Sequence, residues 1–422
     1  MAGKVSAGRW AAFRILLRVE KKGGFAADLL HSPLTAGLEE RDLGLAEELT
    51  LGVLRWQAEL DRRIAEEAGR PAEKLDTEVR LALRLGAYQL QCLDRIPEHA
   101  AVSESVEIVK RARKNSAAGL VNAVLRKVAS RAPPCRPTAE SAVPKWMLER
   151  WRRYFGEARA DEIALATLQA PPAYVRLNAQ CDPEETVRLL AAEGVETAPT
   201  ELPFCRLVRS GRPARTECFR QGRLRIQDLG SQRVTPLLSL EAGHRFLDLC
   251  AAPGGKTFQA LEQRGRGEPG GRQGLAVACD LSFERLLTMR RLATMPVALV
   301  ALDATRPLPF ATQFDRILVD APCSGTGTLA HNPEIKWRLA PRDIEDLAAR
   351  QRAILARALD ALAPGGRLVY ATCSLEPEEN EGVVDAVLGP GFGKGQTYQW
   401  LPGAPTPAPA ADGFFACVIA RT

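Results

Sequence analysis

Apolar positions along this chain follow two different rhythms. From residue 10 to residue 127 they recur at helical spacing, as with Phe13, Leu16 and Leu17 and again with Leu81, Leu85 and Tyr88, and no stretch alternates like a half-buried strand. The proline-rich run Ala132-Pro133-Pro134-Cys135-Arg136-Pro137 cannot continue a helix and has a linker's composition. Helical spacing returns over 146–154 and 158–168, a strand is expected over 173–178, and a helix over 183–193. From His244 the pattern becomes strand, loop, helix, repeated. The runs RFLDL, GLAVACD, VALVALD, FDRILVD and RLVYATC are short and apolar, as in strands covered on both faces by helices, and a last strand is expected over 414–420. The chain thus divides into an all-α part over 1–135, a small α/β part over 144–235 and an α/β domain with a mainly parallel sheet over 236–422. Removing residues 1–135 is expected to leave a folded remainder.

The ends of those runs carry the candidate chemistry. Four of the five end in or near an aspartate, namely Asp248, Asp280, Asp303 and Asp320. In open α/β sheets ligands bind beyond the carboxyl ends of the strands, and carboxylates repeated there suit the hydroxyls and amines of a nucleoside. After the first run, Cys250-Ala251-Ala252-Pro253-Gly254-Gly255-Lys256-Thr257 opens a helix with small residues, which lets a ligand approach the backbone. The Gly-Lys-Thr ending is not a phosphate loop, because that motif needs a glycine five residues before Gly255 and Cys250 stands there. A nucleoside-binding loop remains, with Asp280 placed to grip a ribose diol. After the fourth run, DAPCSGTG places Asp320 and Cys323 at the sheet edge, and after the fifth Thr372-Cys373-Ser374 places a second thiol. A lone free cysteine is usually a small buried apolar residue. Two thiols at neighbouring strand ends, one beside an acid, point instead to nucleophilic chemistry, and strand logic alone leaves open which of them attacks.

Composition narrows the setting. Of 422 residues, 46% are hydrophobic, as in a globular protein, and the length suits more than one core. The ten cysteines include no CxxC pair and resemble no disulfide framework, so a reducing cytoplasm and a site without metal are expected. The N-terminus is interrupted by Arg14 and Arg18 and no run of 18 apolar residues exists, so neither a secretory signal nor a membrane span is expected. The net charge of +6 is modest, but its distribution is uneven. Arg206, Arg209, Arg212, Arg215, Arg220, Arg223 and Arg225 share their segment with one acid, Glu217, and Lys110, Arg111, Arg113, Lys114, Arg126 and Lys127 cluster earlier. Such runs are suited to a phosphate backbone.

The long matches DLCAAPGGKT, DAPCSGTGTLAHNPEIKW and ATCSLEPEEN resemble the motifs of S-adenosylmethionine-dependent RNA cytosine-5 methyltransferases. LGVLRWQAELD, LRLGAYQL and AGLVNAVLRKV resemble the antitermination factor NusB, while YVRLN, QDLGSQ and DGFFA also fit, so nearly the whole chain is similar to the bacterial Sun/Fmu (RsmB) type. It departs from that pattern at Ala330, where relatives often carry arginine, and in a longer loop over 265–274. The resemblance implies a Rossmann-like methyltransferase domain with its last strand antiparallel, an all-α NusB-like RNA-binding domain, and a monomer acting on small-subunit (16S) ribosomal RNA. It implies that residues 250–256, Asp280, Asp303 and Asp320 hold S-adenosyl-L-methionine, with Asp280 on the ribose and Asp303 near the adenine. It also assigns Cys373 as the nucleophile at cytosine C6 and Cys323 as the group that assists release, with Asp320 at N3. Transfer RNA as substrate and a non-catalytic RNA-binding assembly factor are the alternatives.

Overall fold

A computed structural model of the chain describes residues 5–130, 137–264, 274–403 and 411–422. The linker expected at 132–137 and the loops expected over 265–274 and 401–411 fall mostly outside the described residues. Two compact units result: Met1–Ala170 with Leu329–Arg338, and Pro171–Thr328 with Leu339–Thr422.

The first unit is all helical. Helices Ala7–Lys22, Glu40–Arg55, Gln57–Ala68, Thr77–Cys92, Glu98–Arg111 and Ala118–Ser130 bury one apolar core that includes Phe13, Leu16, Leu49, Val53, Leu81, Leu85 and Leu125. Helix packing is close where Gly52 meets Tyr88, since a Cβ at Gly52 would lie 2.1 Å from the tyrosine ring. The Tyr88 hydroxyl donates to Glu48 at 2.6 Å. Helices Lys145–Phe155 and Glu157–Ala166 belong to the same unit, with Trp151 fully buried, so the unit does not end at the proline-rich segment.

The ten residues Leu329–Arg338 reach this unit from far along the chain. Lys336 is buried there, and its ammonium donates to the Arg55 carbonyl at 3.0 Å, the Ala142 carbonyl at 2.9 Å and the Thr167 hydroxyl at 3.3 Å. Trp337 donates through Nε1 to the Leu54 carbonyl at 2.7 Å, and Glu334 accepts from the Ala26 amide at 3.0 Å. All three protons of the ammonium are therefore placed, while burial, and then the nearby Arg55, lower its pKa to about 7.

The second unit holds two sheets. Strands β1 (Tyr174–Leu177), β2 (Glu196–Pro199), β3 (Cys205–Ser210) and β4 (Leu224–Ile226) form an antiparallel sheet in the order β2-β3-β1-β4. Helix Pro183–Ala192 lies beside it, opened by Asp182, whose carboxylate accepts from the Glu184 amide at 2.9 Å with Pro183 at the first helical position. The larger sheet comprises β5 (Phe246–Asp248), β6 (Ala276–Asp280), β7 (Ala298–Ala301), β8 (Phe314–Asp320), β9 (Leu362–Thr372), β10 (Phe392–Trp400) and β11 (Phe414–Arg421) in the order β10-β11-β9-β8-β5-β6-β7. Strands β5 to β9 run parallel, and β11 is antiparallel to both β9 and β10. The expected strands are all present, and β2, β3, β4 and β10 are additional. From β5 the chain winds outward through β6 to β7, then restarts on the other side at β8. The strand order therefore reverses between β5 and β8, the place where such sheets open a crevice at their carboxyl edge.

Candidate functional site

At that reversal the loop after β5 faces the loop after β8. Cys250 leaves β5 with its amide donating to Asp248 at 3.3 Å, and the Ala251 amide donates to the Cys279 carbonyl at 2.8 Å, which holds the loop against β6. Gly254 has φ +104, and a Cβ there would lie 2.4 Å from the Phe258 ring, so no other residue fits the turn. Gly255 begins the helix Gly255–Arg264. Asp248 is buried under this turn, accepting from the Thr257 hydroxyl at 2.6 Å, and burial pushes its carboxyl up to about 7.

Carboxylates follow on the neighbouring strands. Asp280, at the end of β6, accepts from the Ala252 amide at 3.1 Å and the Ser282 amide at 2.9 Å and pairs with Arg285 at 3.4 Å, so it organises the glycine loop from the adjacent strand. Asp303, beyond β7, accepts from the Thr305 amide at 3.0 Å and hydroxyl at 2.6 Å, which hold it below the usual carboxylate range. These groups fit S-adenosylmethionine. A helix N-terminus suits a carboxylate, two acids on successive strand ends suit hydroxyls and an amine, and the small residues 251–255 leave the backbone approachable.

The loops after β8 and β9 bring the thiols together. Cys323 and Cys373 are both partly buried, with their sulfurs 3.3 Å apart. The hydrogen bond with Cys373 and burial push the Cys323 thiol far above its ordinary value. Asp320 stands at the end of β8 and accepts from the Lys256 ammonium at 2.8 Å. That ammonium lies 5.0 Å above the Phe414 ring. Asp320, expected both at the cofactor and at the base, and Lys256, expected at the cofactor, thus form an ion pair that joins the glycine loop to the thiol-bearing loop.

The arginine run is less uniform than its sequence suggests. Arg209, Arg215 and Arg220 are exposed. Arg225 turns inward, stacking 4.3 Å over the Phe258 ring and lying 3.7 Å from Glu262, which also pairs with the buried Arg176. In the earlier basic cluster Lys114 pairs with Asp76 at 2.7 Å, and Arg111 lies 4.1 Å over the Trp10 ring.

Glu379 was not singled out from the sequence beyond its place in ATCSLEPEEN. Its side chain is wholly buried and accepts hydrogen bonds from both thiol-bearing loops. The available signal was an acidic pair, Glu378 and Glu379, in the loop between β9 and the helix Glu381–Val387, which reads as a solvated loop.

Comparison with known proteins accounts for most of the chain. Residues 235–391 match the family model described as 16S rRNA methyltransferase RsmB/F, 6–130 match the NusB family, and 143–205 match a Methyltr_RsmF/B-like ferredoxin-like domain. A ribosomal RNA small subunit methyltransferase B of Erwinia tasmaniensis is 36% identical over 355 residues, covering 81% of this chain and 80% of that protein. The protein of the same name from Pasteurella multocida is 35% identical over 388 residues, covering 88% and 84%. The solved structure of PH0851 superposes with a TM-score of 0.81 over 100% of both chains at 22% identity, a likeness of fold. No helix among the described residues is long and apolar enough to cross a membrane. With curated relatives this similar across four fifths of its length, the chain belongs to the 16S rRNA methyltransferase RsmB/F family.

Proposed function

We propose that this protein, acting in the cytoplasm, methylates C5 of a cytosine in small-subunit ribosomal RNA with S-adenosylmethionine, through a covalent bond between Cys373 and C6. The observation that supports this reading is the pair of thiols 3.3 Å apart at the carboxyl ends of adjacent parallel strands, beside the Lys256–Asp320 ion pair. Cytosine C5 is too poor a nucleophile to take a methyl group unaided. A thiolate that adds at C6 breaks the C5=C6 double bond and sends that electron pair toward C5 and N3. Asp320 is assigned to the N3 edge, where a proton given to N3 would accept the displaced electron density; in the free protein its carboxylate pairs with the Lys256 ammonium at 2.8 Å. The bound cofactor supplies an electrophilic methyl group for C5. A base then takes the C5 proton, a step that Cys323 is proposed to assist, the C–H electrons restore C5=C6, and the bond from Cys373 to C6 breaks with its electron pair returning to the Cys373 sulfur. Burial and the hydrogen bond with Cys373 raise the Cys323 thiol, which disfavours it as the attacking sulfur.

Residues 250–256, Asp280, Asp303 and Asp320 are proposed to hold the cofactor. The parts over 1–135 and 144–235 are proposed to bind RNA, with 236–422 performing the reaction.

Two single substitutions test the division of labour. Cys373→Ala is expected to give neither methylated RNA nor a covalent complex. Cys323→Ala is expected to attack but stall, leaving protein and RNA joined in a denaturing gel. An adduct with Cys373→Ala and none with Cys323→Ala reverses the assignment. Bisulfite mapping of ribosomal and transfer RNA from cells with and without the protein identifies the substrate, and loss of a transfer RNA mark alone overturns the ribosomal reading.

A further inference from the structure

We propose that Glu379 is a positioning residue that locks the two thiol-bearing loops into one unit, so that Cys323 and Cys373 approach the same base together. This rests on the cytosine-5 reading above. Glu379 Oε1 accepts from the Ser324 amide at 2.9 Å and from the Gln351 side-chain amide at 2.9 Å. Oε2 accepts from the hydroxyls of Ser324 and Ser374, which lie 3.1 Å from one another. Each serine directly follows one of the cysteines. The same Gln351 amide donates to the Pro322 carbonyl at 2.9 Å, so Cys323 is held by bonds to the residues on both its sides. The next residue completes the arrangement on the other loop. Asn380 accepts from the Thr372 hydroxyl at 2.5 Å and donates to the Ser374 carbonyl at 3.0 Å, bracketing Cys373. The Tyr370 hydroxyl donates to the Glu379 carbonyl at 2.6 Å, fixing the backbone between the two brackets.

Glu379, Asn380, Gln351, Thr372 and Ser374 have no exposed surface. The four donors to Glu379 are neutral, and a carboxylate surrounded by neutral donors is a costly way to fill a core. An apolar side chain of the same volume packs with less desolvation, so a buried charge of this kind is best explained by the geometry it enforces. Four directional bonds from two loops and one helix specify a single spacing between the sulfurs, which packing alone does not. The carboxylate also acts on the proton. After the Cys373 hydrogen bond and burial, its negative charge is one of the influences that keep Cys323 protonated, and the buried Tyr370 hydroxyl faces the same group.

Glu379→Gln preserves the shape but removes the charge and replaces one acceptor with a donor, so the two hydroxyls lose their common partner. Glu379→Asp retains the charge. The readout is alkylation of Cys323 and Cys373 by iodoacetamide as a function of pH in the full-length protein, each thiol followed by its own peptide in mass spectrometry, with no RNA present. Glu379→Gln is expected to move the Cys323 midpoint down by about one pH unit or more while Glu379→Asp leaves it near the wild-type value. Calorimetric affinity for S-adenosylmethionine is expected to stay within about twofold and RNA methylation to fall by about 100-fold, since the change is confined to the thiol pair and its placement. An unchanged Cys323 midpoint with unchanged methylation in folded Glu379→Gln overturns the proposal. If Glu379→Gln does not fold, Ser374→Ala and Ser324→Ala each remove one donor, and wild-type midpoints and turnover in both overturn it equally. The two readings fail separately. A shifted midpoint in a protein whose wild type methylates no cytosine sinks the proposed function and leaves the positioning role standing, whereas cytosine methylation that folded Glu379→Gln performs as well as wild type, with an unmoved midpoint, does the reverse.

Discussion

Asp248 holds a carboxyl group beneath the glycine turn, and burial sets its ionisation. Its folded value of about 7 lies above the unsheltered 3.8, so between those values the folded chain binds a proton that the unfolded chain has released. The contribution therefore falls as pH rises through that window, by about 4 kcal/mol in total. Asp248→Asn keeps the shape without the titration. The stability of Asp248→Asn relative to wild type is expected to increase between pH 5 and pH 8, measured by urea unfolding at each pH. A gap that stays constant with pH shows that Asp248 is charged throughout. At this scale Asp320, Cys323 and Cys373 were legible, because each follows an uninterrupted apolar run and precedes a turn. Glu379 was not. Its meaning comes from Ser324, which lies 55 residues away in sequence and meets it only once β8 and β9 are paired.

Among the elements, those with a continuous apolar face can be read directly, so β5 to β9 and β11 are legible in the sequence. Strand β10 is not. Its interior is Gly393, Lys394, Gly395 and Gln396, it lies at the edge with β11 as its neighbour, and it buries too little to impose a pattern. The arginine run hid β3 and β4 for a related reason, since alternating arginines on a small sheet look like a solvated ridge. Fold and function separate these arginines. Neutralising Arg209, Arg215 and Arg220 is expected to reduce the slope of log affinity for RNA against log salt by about 2–3, as phosphate contacts are lost. Arg225→Ala is expected instead to destabilise the protein, because Glu262 and the Phe258 ring lose an inward-facing cation. A slope unchanged by the triple substitution in a filter-binding titration shows that the exposed arginines do not meet phosphate.

For the molecule as a whole, the division between units changes the forecast for a truncated chain. The sequence suggested that residues 136–422 would fold alone. The structure instead shows Leu329–Arg338 in the helical unit, with Lys336 and Trp337 bonded to carbonyls of Arg55 and Leu54. A chain beginning at residue 136 loses those acceptors and strands a buried cation, so it is expected to melt below the full-length protein and to aggregate. In the full chain Lys336→Met is expected to cost about 2–4 kcal/mol by leaving three acceptors unmet. Scanning calorimetry on both proteins checks this, and a truncated chain as heat-stable as the full one shows that the segment needs no helical partner. This aspect of the fold was illegible because HNPEIKW reads as part of the thiol-bearing loop, and nothing local marks it as belonging elsewhere.

That excursion also bears on how the protein is made. A ribosome delivers the chain from its N-terminus, so the ten residues that complete the helical unit emerge about 170 residues after Ala170, a delay on the order of 10–30 s at ~5–20 residues per second. Until then the carbonyls of Arg55, Leu54 and Ala142 await their donors in a nascent chain that is still growing. The part of the molecule that is synthesised first is thus completed only after most of the methyltransferase sheet has left the exit tunnel.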